Sequence, residues 1–140
     1  MDLTTTFPRG PRERIDGVDI LARAIDKARA ELDGKLGDYI FFNCGINGVL
    51  FQALGVSDQE FLDAVRSSPD DAGVIAWMHD VPRPDRSKLN AMNDMFEHME
   101  PQTVEQKRYF DSEVASTGTK RTDIKTFADM LDLQEGRLPI

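Results

Sequence analysis

The stretch Asp19-Ile-Leu-Ala-Arg-Ala-Ile-Asp-Lys-Ala-Arg-Ala-Glu-Leu32 decides the reading of this chain. Leu21, Ala24, Ile25, Ala28 and Leu32 recur at helical spacing, so one side of a helix is continuously apolar. Arg23, Asp26, Lys27 and Glu31 fall on the opposite side, where water is expected to solvate them. Ala22, Ala24, Ala28 and Ala30 add strong intrinsic helix preference. A Pro/Arg arm precedes the helix (Phe7-Pro8-Arg9-Gly10-Pro11-Arg12), and Asp33-Gly34 and Leu36-Gly37-Asp38-Tyr39 follow it. Proline fixes φ and restricts its predecessor, so residues 1–15 are expected to be extended, with Phe7 as the apolar anchor. Asp16-Gly17 signals a turn, and Asp19 is the expected N-cap.

The rest of the chain reads as further helices. Tyr39 to Phe42 is a short apolar run that fits an extended segment or a helix equally well. Ile46 to Leu54 suits a short helix closed by Gly55. Ser57-Asp58-Gln59-Glu60 is a capping box, and the helix it starts buries Phe61, Leu62 and Val65. Ser68-Pro69-Asp70-Asp71 starts another, with serine as cap and proline in the first turn, ending near Val81 because Pro82 and Pro84 bracket Arg83. Ser87 is the expected cap for a stripe of Leu89, Met92, Phe96 and Met99, with Met95 at its edge and Pro101 as its stop. Thr103 to Ala115 and Asp123 to Leu133 complete the set. The expected fold is all-α: five or six short helices in an irregular orthogonal bundle around Ile25, Phe61, Trp77 and Phe127, with room for one short β element at residues 39–42.

Composition sets the outer limits. The 140 residues suit one domain over 1–140, with residues 1–15 as an arm packed on the helical body. A net charge of −8 and a pI near 4.7 argue against general nucleic-acid binding, which needs a basic surface. No apolar run approaches the roughly 20 residues of a membrane span, and no secretory leader is evident. A single cysteine excludes an intramolecular disulfide framework. These features point to an acidic, cytoplasmic protein.

The opening DLTTTFPRGPRERIDGVDILARAIDKARAELDGKLGDY (2–39) resembles the N-terminus of a bacterial family, Domain of Unknown Function 5069. TDIKTFADMLDLQEGR (122–137) is similar to that family's C-terminal stretch. FQALGVSDQEFLDAVRSS (51–68) sits where its members carry a comparable leucine–glycine–acid–phenylalanine pattern. The resemblance implies a small bacterial cytosolic protein and carries no activity with it.

Four groups of residues invite a functional reading. Arginine forks bind phosphate or carboxylate bidentately, so Arg9, Arg12 and Arg14, with Arg23 and Lys27 one turn apart on the first helix, form a candidate anion site. The competing reading is that they pair with the chain's surplus acids or stay solvated. Cys44 is a candidate reactive thiol if Asn43 caps a helix beside it, since a helix N-terminus depresses a thiol pKa; the competing reading is a small buried hydrophobe. His79, Asp80, Asp85 and His98 match no compact ligand spacing, so no metal and no cofactor are expected. The methionine-bearing stripe Leu89–Met99 suits either a core face or a homodimer contact. Two functions follow. The first is a non-catalytic module engaging a protein partner or a small anion through the arm and first helix. The second is a small enzyme with its site at the Asn43–Gly48 turn, using Cys44 or nearby acids.

Overall fold

A computed structural model describes residues 1–81 and 85–140; the Pro82-Arg83-Pro84 bracket lies outside the described residues. The fold is all-α. Seven helices occur among the described residues, one more than the sequence suggests: α1 (Leu21–Asp33), α2 (Gly45–Leu54), α3 (Asp58–Arg66), α4 (Asp71–Asp80), α5 (Arg86–Glu97), α6 (Val104–Ser116) and α7 (Phe127–Gln134). The α1 helix packs on α3, α2 on α3 and α5, α3 on α4, and α6 on α7. No helix is long and apolar enough to cross a membrane among the described residues.

Local chemistry explains most boundaries. The Ser57–Glu60 capping box starts α3, with each side chain bonded to the other's backbone N–H at 3.0 Å. Thr103 caps α6, and Gly34 and Gly55 end α1 and α2 in the left-handed conformation that glycine adopts without strain. Four expected starts are displaced. Asp70, not Ser68, caps α4, because its carboxylate reaches the Gly73 N–H at 2.9 Å. Asp85, not Ser87, caps α5 in the same way through Lys88. The last helix begins at Phe127 instead of Asp123, because Thr126 and Asp129 form a second capping box. Asp19 does not cap α1. That position belongs to Ile20, at φ 71° and without a side-chain cap, while its N–H donates to the Pro11 carbonyl at 2.8 Å. A β-branched residue in that region is strained, and here the completely buried Ile20 side chain and the arm hold it there.

The core is one contiguous cluster, with Ile25, Phe41, Phe51, Phe61 and Phe96 among its largest members. Phe51 and Phe61 rings lie 4.7 Å apart, and Trp77 meets Phe61 edge-on at 5.9 Å. Trp77 and Phe127 are half-buried and flank the core instead of centring it. The Leu89, Met92 and Phe96 face of α5 is buried in this same core, leaving Met95 exposed. Tyr39 to Phe42 forms no strand; Phe41 points inward from a loop while Ile40 stays exposed.

The arm is docked and holds no helix, but it is not extended throughout, since the chain turns at residues 3–5 and 11–12. Phe7 is not its anchor: that side chain is 54% exposed. Leu3 is buried instead, and its N–H donates to the Lys35 carbonyl at 2.9 Å. Gly37 permits this contact. Its φ of 61° suits glycine, and a Cβ there would come within 3.0 Å of the Leu3 carbonyl oxygen. Pro8, Gly10 and Pro11 are buried further along.

The arm, with the C-terminal turn, changes the environment of α1. Arg23, Asp26 and Lys27, expected to face water, are only 2%, 4% and 3% exposed. The arm and the chain after α7 cover that polar side and answer Asp26 and Arg23, while Lys27 meets Cys44, so these residues of α1 are enclosed opposite its apolar face as well.

Asp19 shows what such enclosure does to an acid. It is fully buried, its Oδ1 pairs with Arg14 at 3.1 Å, and its N–H donates to Asn93 Oδ1 at 2.8 Å. Its Oδ2 is without a hydrogen-bond partner among the described residues. Burial and the neighbouring Glu97 carboxylate push its pKa up to about 6, against the pull of Arg14. Between roughly pH 4, where the unfolded side chain titrates, and pH 6, the folded state holds a proton the unfolded chain has lost. Stability from this group therefore falls as pH rises through that window, by at most ~1.4 kcal/mol per pH unit. Urea titrations at pH 4.5 and 6.5 check this: Asp19→Asn should lose that component of the slope, and parallel curves for the two proteins would refute it.

Candidate functional site

The candidate site begins with the position of Cys44. Asn43, at φ 56°, turns the chain sharply, so Cys44 and not Asn43 occupies the N-cap of α2. The α1 helix runs alongside and brings Lys27 to it, with Nζ 3.1 Å from Sγ. Burial pushes the Cys44 thiol up. The Lys27 ammonium and the backbone N–H groups of Asn47 and Ile46 outweigh that, so its pKa lies below the ordinary thiol value. Burial lowers the Lys27 pKa, against the attraction of Cys44. Thiol and ammonium therefore both lie below their ordinary values, with a single 3.1 Å contact between them.

This pair lies on the buried side of a cleft of about 1190 Å³. The arm from Leu3 to Phe7 and the Asp38–Ile40 loop form one margin. The α6 helix contributes Gln106, Tyr109 and Glu113, and α7 contributes Phe127, Met130, Leu131 and Gln134. Ile46 and Val49 extend the apolar lining on the α2 side.

A rigid polar network stands beside the pair. Arg23 makes a two-pronged contact with Glu135, at 2.8 and 2.7 Å, with both side chains 3% exposed. Tyr39 donates its hydroxyl to Glu135 Oε2 at 2.8 Å, and Arg137 also reaches Glu135. Burial raises the Glu135 carboxyl, but Arg23, Arg137 and Tyr39 more than reverse this and hold it below the usual range. Burial and Glu135 raise the Tyr39 hydroxyl, which stays protonated at neutral pH.

The sequence-derived arginine site is divided by the fold. Arg9 is fixed to Asp26 and Asp71, Arg12 to Asp129 and Asp132, and Arg14 to Asp19 and Glu97. Each arm guanidinium thus pins the arm to a different part of the body, and none lines the cleft. Arg23 and Lys27 do share one face and do line it. The histidines serve elsewhere: His79 Nε2 lies 2.9 Å from Asp16 Oδ2, and His98 Nδ1 lies 2.8 Å from the Asp94 carbonyl. No three His, Cys, Asp or Glu side chains converge as metal ligands among the described residues.

Tyr39 and Glu135 stand outside the residues the sequence singles out, and Lys27, expected with Arg23 in an anion site, lies against Cys44. Seventeen positions separate Lys27 from Cys44, and 112 separate Arg23 from Glu135. No local spacing encodes either pairing. Their one trace is the Arg23–Lys27 spacing on a helix whose other residues are mainly alanine and aliphatic.

The chain belongs to the family described as Domain of unknown function (DUF5069), whose model matches residues 5–137 and so spans the arm, the cleft and the Glu135–Arg137 turn. No match accompanies it among curated proteins.

Proposed function

We propose that this protein is a small thiol-dependent enzyme that transfers or hydrolyses an acyl group through Cys44. The observation that carries the reading is the 3.1 Å contact between Lys27, 3% exposed, and Cys44 at the head of α2, inside a cleft large enough for a small-molecule substrate. A buried ammonium beside a thiol favours the thiolate and keeps a proton within reach.

The chemistry follows from these two side chains. The Cys44 thiolate attacks the acyl carbon, and the bond from that carbon to its leaving group breaks. The Lys27 ammonium supplies the proton with which the leaving group departs. This leaves an acyl thioester on Cys44 and a neutral Lys27 amine. The amine then takes a proton from water, or from an acceptor alcohol or amine, as that molecule attacks the thioester. Thiolate and ammonium are restored together. The N–H groups of the first turn of α2 favour negative charge beside Cys44 at each stage.

A non-catalytic module working through the arm has weaker support, because Arg9, Arg12 and Arg14 are each engaged with carboxylates of the chain itself. A reduced cytoplasmic setting suits the reading, since it keeps the thiol free.

Iodoacetamide alkylation of the native protein followed by mass spectrometry tests the thiol, and acetylation by p-nitrophenyl acetate tests acyl transfer. Cys44 should alkylate with a midpoint below the ~8.5 of an ordinary thiol, and acetyl should be found on Cys44. Cys44→Ala should show neither modification. A native protein that resists both reagents would end the proposal.

A further inference from the structure

The same cleft narrows the class of substrate, and this inference rests on the acyl-transfer reading. We infer that the acyl group is apolar and several carbons long, and that the leaving group is uncharged or cationic, not phosphorylated.

The first half comes from the walls. Ile46, Val49, Met99, Phe127, Met130 and Leu131 all line the cleft. Phe7 and Ile40, at 54% and 56% exposed, extend apolar surface to the mouth. Large apolar side chains left open to water at the edge of a cleft mark a surface that gains by being covered. An acetyl group reaching Cys44 would leave most of this lining wet, whereas a longer chain would cover it.

The second half comes from charge. The cationic residues lining the cleft among the described residues, Arg23 and Lys27, are both buried, and each already has a partner, Glu135 and Cys44 Sγ. The charged groups nearer the outside are acids: Asp38 and Glu100 are exposed and Glu113 is half-buried. A leaving group projecting past them would meet negative charge in a chain whose net charge is −8. A nucleotide or phosphate there has no unpaired basic partner in the lining among the described residues. Neutral amide, hydroxyl or ammonium groups meet Gln102, Gln106 and the acids on favourable terms.

Three thioesters separate the possibilities: acetyl- and hexanoyl-N-acetylcysteamine, which carry no charge, and hexanoyl-coenzyme A, which carries phosphates. The rate of Cys44 acylation is followed by mass spectrometry. Hexanoyl-N-acetylcysteamine should react at least ~10-fold faster than the acetyl compound, because its extra methylenes leave water. It should also react at least ~10-fold faster than hexanoyl-coenzyme A, and added salt should narrow that second gap by screening. Converting the mouth with Asp38→Asn and Glu100→Gln, both at exposed positions, should narrow it as well. Equal acetyl and hexanoyl rates, or a coenzyme A thioester that reacts as fast as the uncharged one, would overturn the substrate class. Those results leave acyl transfer at Cys44 standing. No acylation by any thioester, with Cys44 still alkylated by iodoacetamide, would instead remove the acyl-transfer reading itself.

Discussion

Glu135→Ala is expected to destabilise the protein by about 3–5 kcal/mol, the range for leaving a buried charge without its partner. The physical reason lies in what remains. Arg23 is 2% exposed, and both of its contacts to a carboxylate go to Glu135. Without them its guanidinium keeps one long bond to the Arg9 carbonyl, at 3.3 Å, and the ring of Tyr39 at 5.6 Å. The Tyr39 hydroxyl also loses its acceptor. Glu135→Gln should cost less, because an acceptor oxygen survives although the charge does not. The pH dependence has the opposite sign to that of Asp19. The Glu135 carboxyl is held below its ordinary value, so its contribution is present above the unfolded pKa and is lost as pH falls through the folded one. Equilibrium urea unfolding reads both effects. A Glu135→Ala protein within about 1 kcal/mol of the parent would show that water reaches Arg23 after all.

Lys27→Met is the second large effect, and it concerns chemistry more than stability. Methionine keeps the length and apolar stem of lysine and removes the ammonium. Burial would then act on Cys44 without its main counterweight, and the thiol pKa should rise. Alkylation by iodoacetamide at pH 7 should slow about 10–100-fold in step, since the thiolate is the reactive form. Stability should change little, because the thiol left behind takes up a proton, so that no unpaired charge stays buried. Lys27→Arg keeps the charge and should keep the midpoint near that of the parent, although its fork differs in shape. A pH–rate profile for each variant separates these cases. An unchanged midpoint in Lys27→Met would mean that α2 alone, and not Lys27, governs the thiol.

Particular residues show how much of the molecule could be read before its structure. The capping box at Ser57–Glu60, the Gly34 and Gly55 stops and the apolar stripe of α5 were all legible, because each is settled within four residues of backbone. Where two polar residues competed for a cap, the outcome turned on geometry that composition does not specify: Asp70 prevailed over Ser68, and Asp85 over Ser87. Periodicity failed at Arg23, Asp26 and Lys27. A helical pattern says which residues share a face but not what covers that face. Here a proline-stiffened arm and the turn after α7 cover it, with Asp26 answered by Arg9 and Arg23 by Glu135.

By itself, then, the sequence determined the helices, their apolar faces and the family, since these depend on contacts between near neighbours and on the order of residues. The candidate site was decided by tertiary structure. Cys44 alone is a small, half-hydrophobic side chain, and Lys27 alone is a solvated cation. Only when α1 is enclosed and laid beside the head of α2 does Lys27 leave water and Cys44 lose part of its own, and with less water their charges depend on each other.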